Sequence, residues 1–198
     1  MRPILLHPHP TLKQTSQPVA SITPAILSIL EDMQTSLLRA DGIGLAAPQI
    51  GHNTRLIILN LGTETEDGNR TYSPNTTEFF INPEIIWASE TIASRQEGCL
   101  SLPGLWADVE RPTEVKVRYQ TRDGETKEEH ASGLKATAFQ HEIDHLDGIL
   151  FIERLTRTRR TLAENKWKKL RADIMKNGAD FDVIDNTNSL IKNINSRT

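Results

Sequence analysis

The chain has 198 residues, of which 37% are hydrophobic and 25% charged, a composition typical of one globular unit with a substantial core. Its formal net charge of -3 gives no reason to expect that the whole protein wraps nucleic acid, and its single cysteine excludes a disulfide framework. No apolar run reaches the length of a signal peptide or the ~20 residues of a membrane span, so we expect a cytoplasmic protein.

The first predicted element is a helix over residues 24–40. Thr23 supplies a helix N-cap, and Pro24 occupies the first helical position, where its missing N–H is not needed. The apolar residues that recur at helical spacing are Ile26, Ile29, Leu30, Met33 and Leu37. The helix should therefore cover one side of the core and end at the turn Asp41-Gly42.

A run of small residues follows from Gly42 to Gly51, in which Gln49 carries the only polar side chain. Its glycines let the backbone approach another chain or a ligand closely. A tight connection between a helix and a strand has the same composition. A phosphate-binding loop is disfavoured, because no Lys-Ser/Thr pair follows the glycines.

Several segments further along have strand character and are separated by polar turns. Residues 79–87 are interrupted at Asn82-Pro83, which predicts an edge strand or a bulge. Residues 113–119 alternate apolar and charged side chains, which predicts one solvent-facing side. The other predicted segments are strands at 55–60, 126–131 and 149–152 and an exposed polar excursion at 62–78. This order predicts an α+β fold, with antiparallel strands packed around a central helix and with N-terminal and C-terminal helices.

The central predicted helix contains the sequence Gln-His-Glu-Ile-Asp-His at residues 140–145. Helical periodicity places His141 and His145 one turn apart on one face, where both can reach a single metal ion. Glu142 would then lie near enough to handle the proton of a metal-bound water. A helix with two structural histidines and a surface glutamate has the same pattern, so a third ligand is needed to decide.

The candidate third ligand is Cys99, the only cysteine of the chain. One cysteine and two histidines form a borderline-soft ligand set for zinc or ferrous iron, and three protein ligands leave a fourth position for water. A structural site would more often close with a fourth side chain, and no second cysteine exists to do so. The alternative is a small buried cysteine without a metal role.

The last predicted helix, residues 156–176, is strongly basic. Its cations are Arg157, Arg159, Arg160, Lys166, Lys168, Lys169, Arg171 and Lys176, against the acidic residues Glu164 and Asp173. A solvated amphipathic helix that packs Leu162, Trp167, Leu170 and Ile174 explains this composition, and docking on RNA phosphates is the alternative. Residues 177–198 are rich in Asn, Asp and Ser and predict an irregular tail.

Three separated motifs occur in one order: GIGLAAPQ from Gly42 to Gln49, EGCLS from Glu97 to Ser101, and QHEIDH from Gln140 to His145. This combination closely resembles the peptide deformylases over about residues 4–153. The family removes the N-formyl group from the initiator methionine of nascent bacterial or organellar polypeptides and releases formate. The resemblance therefore implies one divalent metal ion per chain, ferrous iron in vivo, with zinc, nickel or cobalt as substitutes.

The resemblance also implies roles for individual residues. The matching metal ligands are Cys99, His141 and His145. Glu142 matches the catalytic acid/base, and the Gln49 side-chain amide and the Leu100 backbone N–H match the donors that hold the oxyanion. Gly44 matches a backbone contact to the substrate peptide.

An apolar pocket should receive the methionine side chain of the substrate. The candidate lining residues are Ile43, Leu134, Thr137 and Ala138. Thr137 departs from the family pattern, in which apolar residues are usual at this position, and it leaves the shape of the pocket open. Near the metal, Asp144 either orients a ligand histidine or is a surface aspartate. Glu97 and Arg111 are candidates for an ion pair behind the metal loop.

Two other functions fit parts of the sequence. A metalloprotease of the His-Glu-x-x-His type would take a third ligand downstream of the helix rather than an upstream cysteine. A non-catalytic ribosome-binding module with a structural metal would require neither Glu142 nor Gln49. We expect a monomer in which residues 1–176 form a single catalytic unit, with a ribosome contact through the basic helix and N-formylmethionyl nascent peptides as substrates.

Overall fold

The computed structural model describes residues 2–64 and 70–176, which form three α-helices and nine β-strands. The helices are α1 (Pro24–Ala40), α2 (Gly133–Leu146) and α3 (Arg157–Lys176). The strands are β1 (Gly44–Ala46), β2 (Leu56–Asn60), β3 (Thr63–Glu64), β4 (Arg70–Thr71), β5 (Thr77–Ala88), β6 (Ile92–Gly98), β7 (Trp106–Pro112), β8 (Glu114–Gln120) and β9 (Thr126–Ser132). Short 3₁₀ helices cover Pro10–Lys13, Ala47–Ile50, Pro74–Thr76 and Phe151–Arg154. The predicted irregular tail, 177–198, lies outside the described residues.

Five strands form one antiparallel sheet in the order β1-β2-β5-β8-β9, and β6 pairs with β7 in a separate hairpin. The register of β5 against β8 shifts between Ile81 and Glu84, so the bulge predicted at Asn82-Pro83 is confirmed. The alternative of an edge strand is wrong, because β5 pairs with β2 on one side and β8 on the other. The bulge removes Pro83 from both ladders, so its missing N–H costs no pairing bond.

Helices cover both faces of this sheet. Along β2, Leu56 and Ile58 pack in one core cluster with α1, while Ile57 and Leu59 pack in another with α2. Successive side chains of a strand point to opposite faces, so a strand covered on both sides is apolar throughout. α2 lies in the interior of the fold, and every residue from Ala136 to Leu146 is buried. The α+β fold with a central helix is therefore confirmed.

A third core cluster joins the β6/β7 hairpin to α3 and to the chain that precedes it. The strand predicted at 149–152 is wrong, because Phe151–Arg154 forms a 3₁₀ helix. Residues 150–152 are all buried in the same cluster, whereas a strand would turn alternate side chains to opposite faces. The Glu153 carboxylate stabilises the turn by accepting a hydrogen bond from the Leu150 N–H at 2.9 Å.

α3 is amphipathic, as predicted. Ala163, Trp167 and Ile174 are buried, and the Trp167 indole N–H donates to the His7 carbonyl at 3.1 Å. Leu162, which was predicted to pack, is instead 65% exposed. Most of the cations of α3 face outward. Within the described part of the chain, no helix has the length and apolar character needed to cross a membrane.

Glu153 also forms an ion pair with Lys13, which gives a pH-dependent contribution to stability. Burial raises the pKa of Glu153, but hydrogen bonds from Lys13 and Leu150 outweigh burial and hold it below its ordinary value. Such a carboxylate stabilises the fold above its unfolded-state pKa, and the contribution is lost as the pH falls through the folded-state pKa. We expect Glu153→Gln to lower the free energy of unfolding at pH 7 by at most about 1 kcal/mol, because the Lys13 side chain is 43% exposed and water screens the pair. The free energies of unfolding of the two proteins, measured by urea titration, should become equal in acid. A difference that persists at low pH would show that the stabilisation does not come from the ionised Glu153 carboxylate.

Candidate metal centre

Three candidate metal ligands meet inside the fold. His141 and His145 lie one turn apart on α2, and Cys99 directly follows β6. One potential ligand atom from each side chain lies within 4.8 Å of the other two, and Cys99 Sγ is 3.2 Å from His145 Nε2. The predicted cluster of one cysteine and two histidines is therefore brought together.

Each of the two histidines can offer one ring nitrogen to a metal ion. Burial lowers the pKa of His145 well below its ordinary value, so this imidazole is neutral and keeps a lone pair. Nδ1 of His141 lies 2.8 Å from Glu97 Oε2 and donates its N–H there. Burial lowers the pKa of His141, but hydrogen bonds with Cys99 and Glu97 outweigh burial and hold this pKa well above its ordinary value, so the ring releases a proton when Nε2 binds a metal ion. Two neutral imidazoles and a thiolate are donors that a single zinc or ferrous ion accepts, so these residues fit such an ion.

The Glu142 carboxyl lies in the wall of the cavity beside this cluster. It is buried, and its Oε2 has no hydrogen-bond partner among the described residues. Burial raises the pKa of Glu142 to about 7, although the charge of His141 acts in the opposite direction. A carboxyl group with a pKa near neutrality can both accept a proton and return it.

The side-chain amide of Gln49 has a fixed orientation. Gln49 lies in the 3₁₀ helix Ala47–Ile50, and its Oε1 accepts a hydrogen bond from the Ala46 N–H at 2.8 Å. The Nε2 group therefore points the other way, where it donates to Ser101 Oγ at 3.2 Å and lies 3.6 Å from Cys99 Sγ. A neutral N–H donor is thus held beside the candidate ligand sulfur.

Charged residues support His141 from behind. The Arg111 guanidinium donates to both Glu97 oxygens, at 2.6 and 3.0 Å, so the predicted pair of these residues is confirmed. Burial raises the pKa of Glu97, but hydrogen bonds from His141 and Arg111 outweigh it and keep this carboxyl below its ordinary pKa. Arg111 also donates to Asp144 Oδ2 at 2.9 Å. The prediction of a surface aspartate is wrong, because Asp144 is buried, and its carboxylate accepts hydrogen bonds from arginines rather than directly from a histidine ring.

A cavity of about 390 Å³ opens beside the cluster. Its walls include predicted site residues from the glycine run, the cysteine loop and α2: Ile43, Gly44, Gln49, Cys99, Leu100, Leu134, Thr137, Ala138, His141 and Glu142. Leu134 is 42% exposed, whereas Ala138 is buried. The Thr137 hydroxyl donates to the Gly133 carbonyl at 3.1 Å, so the hydrogen-bonding capacity of this side chain is partly satisfied within α2.

The cavity has further lining residues that the sequence analysis did not single out, among them Gln96, Gly98 and Trp106. Gly98 pairs with Trp106 across the β6/β7 hairpin. A Cβ atom at Gly98 would lie 2.8 Å from the indole ring, so glycine leaves room for the ring beside the strand. The only sequence signal was the glycine that precedes Cys99, and it gave no hint of its tryptophan partner.

The sequence profile of the family described as polypeptide deformylase matches residues 1–161. The chain belongs to the polypeptide deformylase family. A peptide deformylase of Phenylobacterium zucineum is 47% identical over 169 residues, which are 85% of this chain and 96% of that protein. The sequence match thus spans nearly the full length of this relative.

Solved deformylase structures have the same fold. The peptide deformylase of Legionella pneumophila superimposes with a TM-score of 0.75 at 33% identity, over 87% of this chain and 96% of that one. The peptide deformylase of Plasmodium falciparum gives a TM-score of 0.77 at 30% identity, over 89% of this chain and 99% of that one. This deformylase is a metal-dependent hydrolase that removes the N-formyl group from nascent peptides. Neither the metalloprotease nor the non-catalytic ribosome-binding module is favoured.

Gly44 of this deformylase leaves room for Glu142. A Cβ atom added at Gly44 would lie only 3.0 Å from Cγ and Cδ of Glu142. We expect Gly44→Ala to push aside the carboxyl group of Glu142, the candidate acid/base, and to lower kcat at least tenfold, because a small displacement of a reacting group lowers the rate steeply. Steady-state kinetics with a formylated peptide would measure this loss.

Gly42→Ala is the matched control for this substitution. Its added methyl group would meet the side-chain ends of Leu37 and Leu100, which can shift, and it would not meet Glu142. If Gly44→Ala and Gly42→Ala had the same kcat, the steric explanation for Gly44 would be wrong.

Proposed function

We propose that the residues around the cavity divide the deformylase reaction among them. The metal ion is held by Cys99, His141 and His145. Glu142 moves the proton, while the Gln49 amide and the Leu100 backbone N–H hold the oxyanion. The observation that carries this proposal is that Glu142, Gln49 and Cys99 line the same cavity, with Gln49 Nε2 3.6 Å from the Cys99 sulfur.

Glu142 supplies the acid/base chemistry. A divalent ion bound at this site supplies a Lewis acid and lowers the pKa of water from ~15.7 towards ~7. The Glu142 carboxylate accepts the proton of the water that attacks the formyl carbon. It then returns this proton to the amine nitrogen as the carbon–nitrogen bond breaks, so that formate and a free N-terminal amine are released.

Gln49 stabilises the negative charge that develops on the formyl oxygen. Its Oε1 is held by the Ala46 N–H, so its amide N–H groups are directed before the substrate arrives. We expect Gln49→Leu, which is similar in size but has no donor, to lower kcat about a hundredfold, or ~3 kcal/mol. A variant that keeps its metal ion and nearly full kcat would contradict this role.

The methionine side chain of the substrate occupies the apolar part of the cavity. Its walls there are Ile43, Leu134, Thr137 and Ala138, and the Gly44 backbone contacts the peptide. The Thr137 hydroxyl is hydrogen-bonded to the Gly133 carbonyl, which makes this polar residue compatible with an apolar ligand. Formylated peptides with a charged first residue should therefore be much poorer substrates than formyl-Met-Ala-Ser.

We further propose that the native metal is ferrous iron. A thiolate ligand and two neutral imidazoles suit both iron and zinc, but only iron makes the thiolate site sensitive to oxygen. Protein purified without oxygen should contain iron and lose activity on exposure to air. Equal activity of anaerobic and aerobic preparations would contradict the choice of iron.

The basic surface of α3 is proposed to contact ribosomal RNA, where nascent chains emerge in the cytoplasm. Exposed cations attract phosphates, and the attraction weakens steeply with salt. Deleting α3 would expose the core around Trp167, so charge neutralisation is the better test. Replacing Arg159, Lys166 and Lys169 by glutamine should reduce salt-sensitive co-sedimentation with ribosomes and leave small-peptide turnover unchanged.

The control variant carries the same replacement by glutamine at three exposed cations of the sheet: Lys116, Arg118 and Lys127. Equal co-sedimentation of the α3 variant and this control would contradict the ribosome contact. We also propose that the enzyme is a monomer with one catalytic unit over residues 1–176, in which the glycine run, the cysteine loop and α2 line one cavity. Sedimentation at assay concentration tests the oligomeric state.

A further inference from the structure

The 3₁₀ helix Phe151–Arg154 contacts α2 behind the metal centre, and none of its residues lines the cavity. The Phe151 ring stacks on the His141 ring, with centroids 6.0 Å apart and planes inclined by 26°. Arg154 forms a two-pronged ion pair with Asp144, in which Nε donates to Oδ2 at 3.0 Å and a terminal nitrogen donates to Oδ1. This short segment therefore contacts α2 at His141, a candidate metal ligand, and at Asp144, the residue before the second candidate ligand of the helix.

Arg154 is the outermost member of a continuous series of charge-assisted hydrogen bonds. The order of contacts is Arg154 to Asp144, Asp144 to Arg111, Arg111 to Glu97 and Glu97 to His141. The Arg154 side chain is 45% exposed, whereas those of Asp144, Arg111 and Glu97 are 8%, 6% and 4% exposed. The series thus connects the protein surface to the ring of a metal ligand.

Charge balance within this series depends on Arg154. Asp144 and Glu97 are two buried carboxylates, and Arg111 alone offsets one negative charge. Arg154 supplies the second positive charge, and it makes the only hydrogen bond to Asp144 Oδ1 among the described residues. Without it, Asp144 would draw Arg111 towards itself. The negative charge of Glu97 would then be less neutralised, and Glu97 would accept a stronger hydrogen bond from the His141 N–H.

We propose that Arg154 is a positioning residue for the metal centre. It holds Asp144 and Arg111 in place, and through Glu97 it fixes the orientation and donor strength of His141. This inference rests on the proposed ligand set and is independent of the substrate. Metal affinity, rather than turnover, is therefore the property that reports it.

Zinc titration of the metal-free full-length protein against a chromophoric chelator tests the proposal. We expect Arg154→Met to lower zinc affinity about tenfold, the lower end of the effect of losing a group that orients a metal ligand. Arg154→Lys keeps the charge but not the two-pronged geometry, and it should recover part of the affinity. Arg160→Met is the matched control, because Arg160 is 43% exposed and pairs with Glu164 and Glu153 instead.

A double-mutant experiment distinguishes an effect that Arg154 exerts through Glu97 from a general loss of stability. In a Glu97→Gln background the connection to His141 is already altered, so adding Arg154→Met should change zinc affinity by less than it does in the wild-type protein. The cobalt-substituted protein gives a spectroscopic measure, since the absorption bands should shift in Arg154→Met and not in Arg160→Met.

Equal zinc affinity and equal cobalt spectra for Arg154→Met and Arg160→Met would overturn the proposal. Additive effects of Arg154→Met and Glu97→Gln would also overturn it, because they would show that Arg154 does not act through Glu97. If the wild-type protein bound no zinc, the ligand set itself would be wrong, and this inference would fail with it. Loss of turnover at normal zinc affinity would instead bear on the proposed catalytic roles.

Discussion

Glu142→Gln is expected to lower formate release by a factor of about 100 to 10,000 while the protein stays folded and retains its metal ion. Glutamine has nearly the same size and shape but cannot accept a proton. The substitution breaks no hydrogen bond at Oε2, since this atom has no partner among the described residues. It also removes a buried carboxyl group, so the thermal stability should be equal or higher.

Three measurements on the same preparation decide this prediction: formate release, metal content and the melting temperature. Glu153→Gln is a suitable control, because Glu153 undergoes the same chemical change outside the cavity and should keep its full turnover. If Glu142→Gln retained turnover close to that of this control, another group would have to move the proton.

Arg111→Met is expected to destabilise the fold by about 3–5 kcal/mol, because it leaves two buried carboxylates without their shared partner. Glu97 and Asp144 both accept hydrogen bonds from Arg111, and their side chains are 4% and 8% exposed. Metal affinity should fall by at least about tenfold, since Glu97 orients His141. Urea denaturation of the metal-free protein separates the loss of stability from the loss of metal.

Arg118→Met provides a contrast on the surface of the sheet. Arg118 donates to Glu84 at 2.9 Å, but both side chains are largely exposed, so this variant should be nearly as stable as the wild-type protein. The difference in free energy of unfolding between Arg111→Met and the wild-type protein should become smaller in mild acid, because protonation removes the uncompensated charge of the buried carboxylates. Equal stability of the Arg111 and Arg118 variants would contradict the account of the buried pair.

Local rules were sufficient for the elements and ligands whose signals lie within a few residues. The N-cap Thr23 and the αL residue Asp41 bound α1 as the sequence indicates. The spacing of His141 and His145 on α2 required only helical periodicity, and ligand chemistry then pointed to Cys99. The helix and the histidine pair depend on short-range geometry, which the sequence encodes directly, whereas Cys99 was found because it is the only cysteine of the chain.

The β6/β7 hairpin escaped prediction because its stability comes from distant partners. β6 has the sequence Ile-Ala-Ser-Arg-Gln-Glu-Gly, and its one buried side chain is the charged residue Glu97. No apolar alternation marks such a strand. Glu97 is buried because Arg111 of β7 and His141 of α2 bind it, and Asp144 is buried because two arginines bind it. Only the assembled fold brings these partners together.

The expected need for glycine at position 44 has the same non-local origin. As a member of the glycine run it could serve a tight turn or a ligand, and the sequence left both open. In the fold its α-carbon lies against Glu142, almost one hundred positions along the chain, and a side chain there would meet the carboxyl group. Sequence motifs point to the candidate residues of this site, whereas the packing of β1 on α2 shows what a side chain at position 44 would meet.

Formate release from formyl-Met-Ala-Ser by the metal-loaded wild-type protein tests the central claim most directly. The acetylated peptide and a chelator-treated sample serve as controls. We expect metal-dependent release of formate from the formylated peptide, no hydrolysis of the acetylated one, and no cleavage between Met and Ala in either. Cleavage of the Met-Ala bond, or an intact formyl group despite one bound metal ion per chain, would contradict the deformylase assignment.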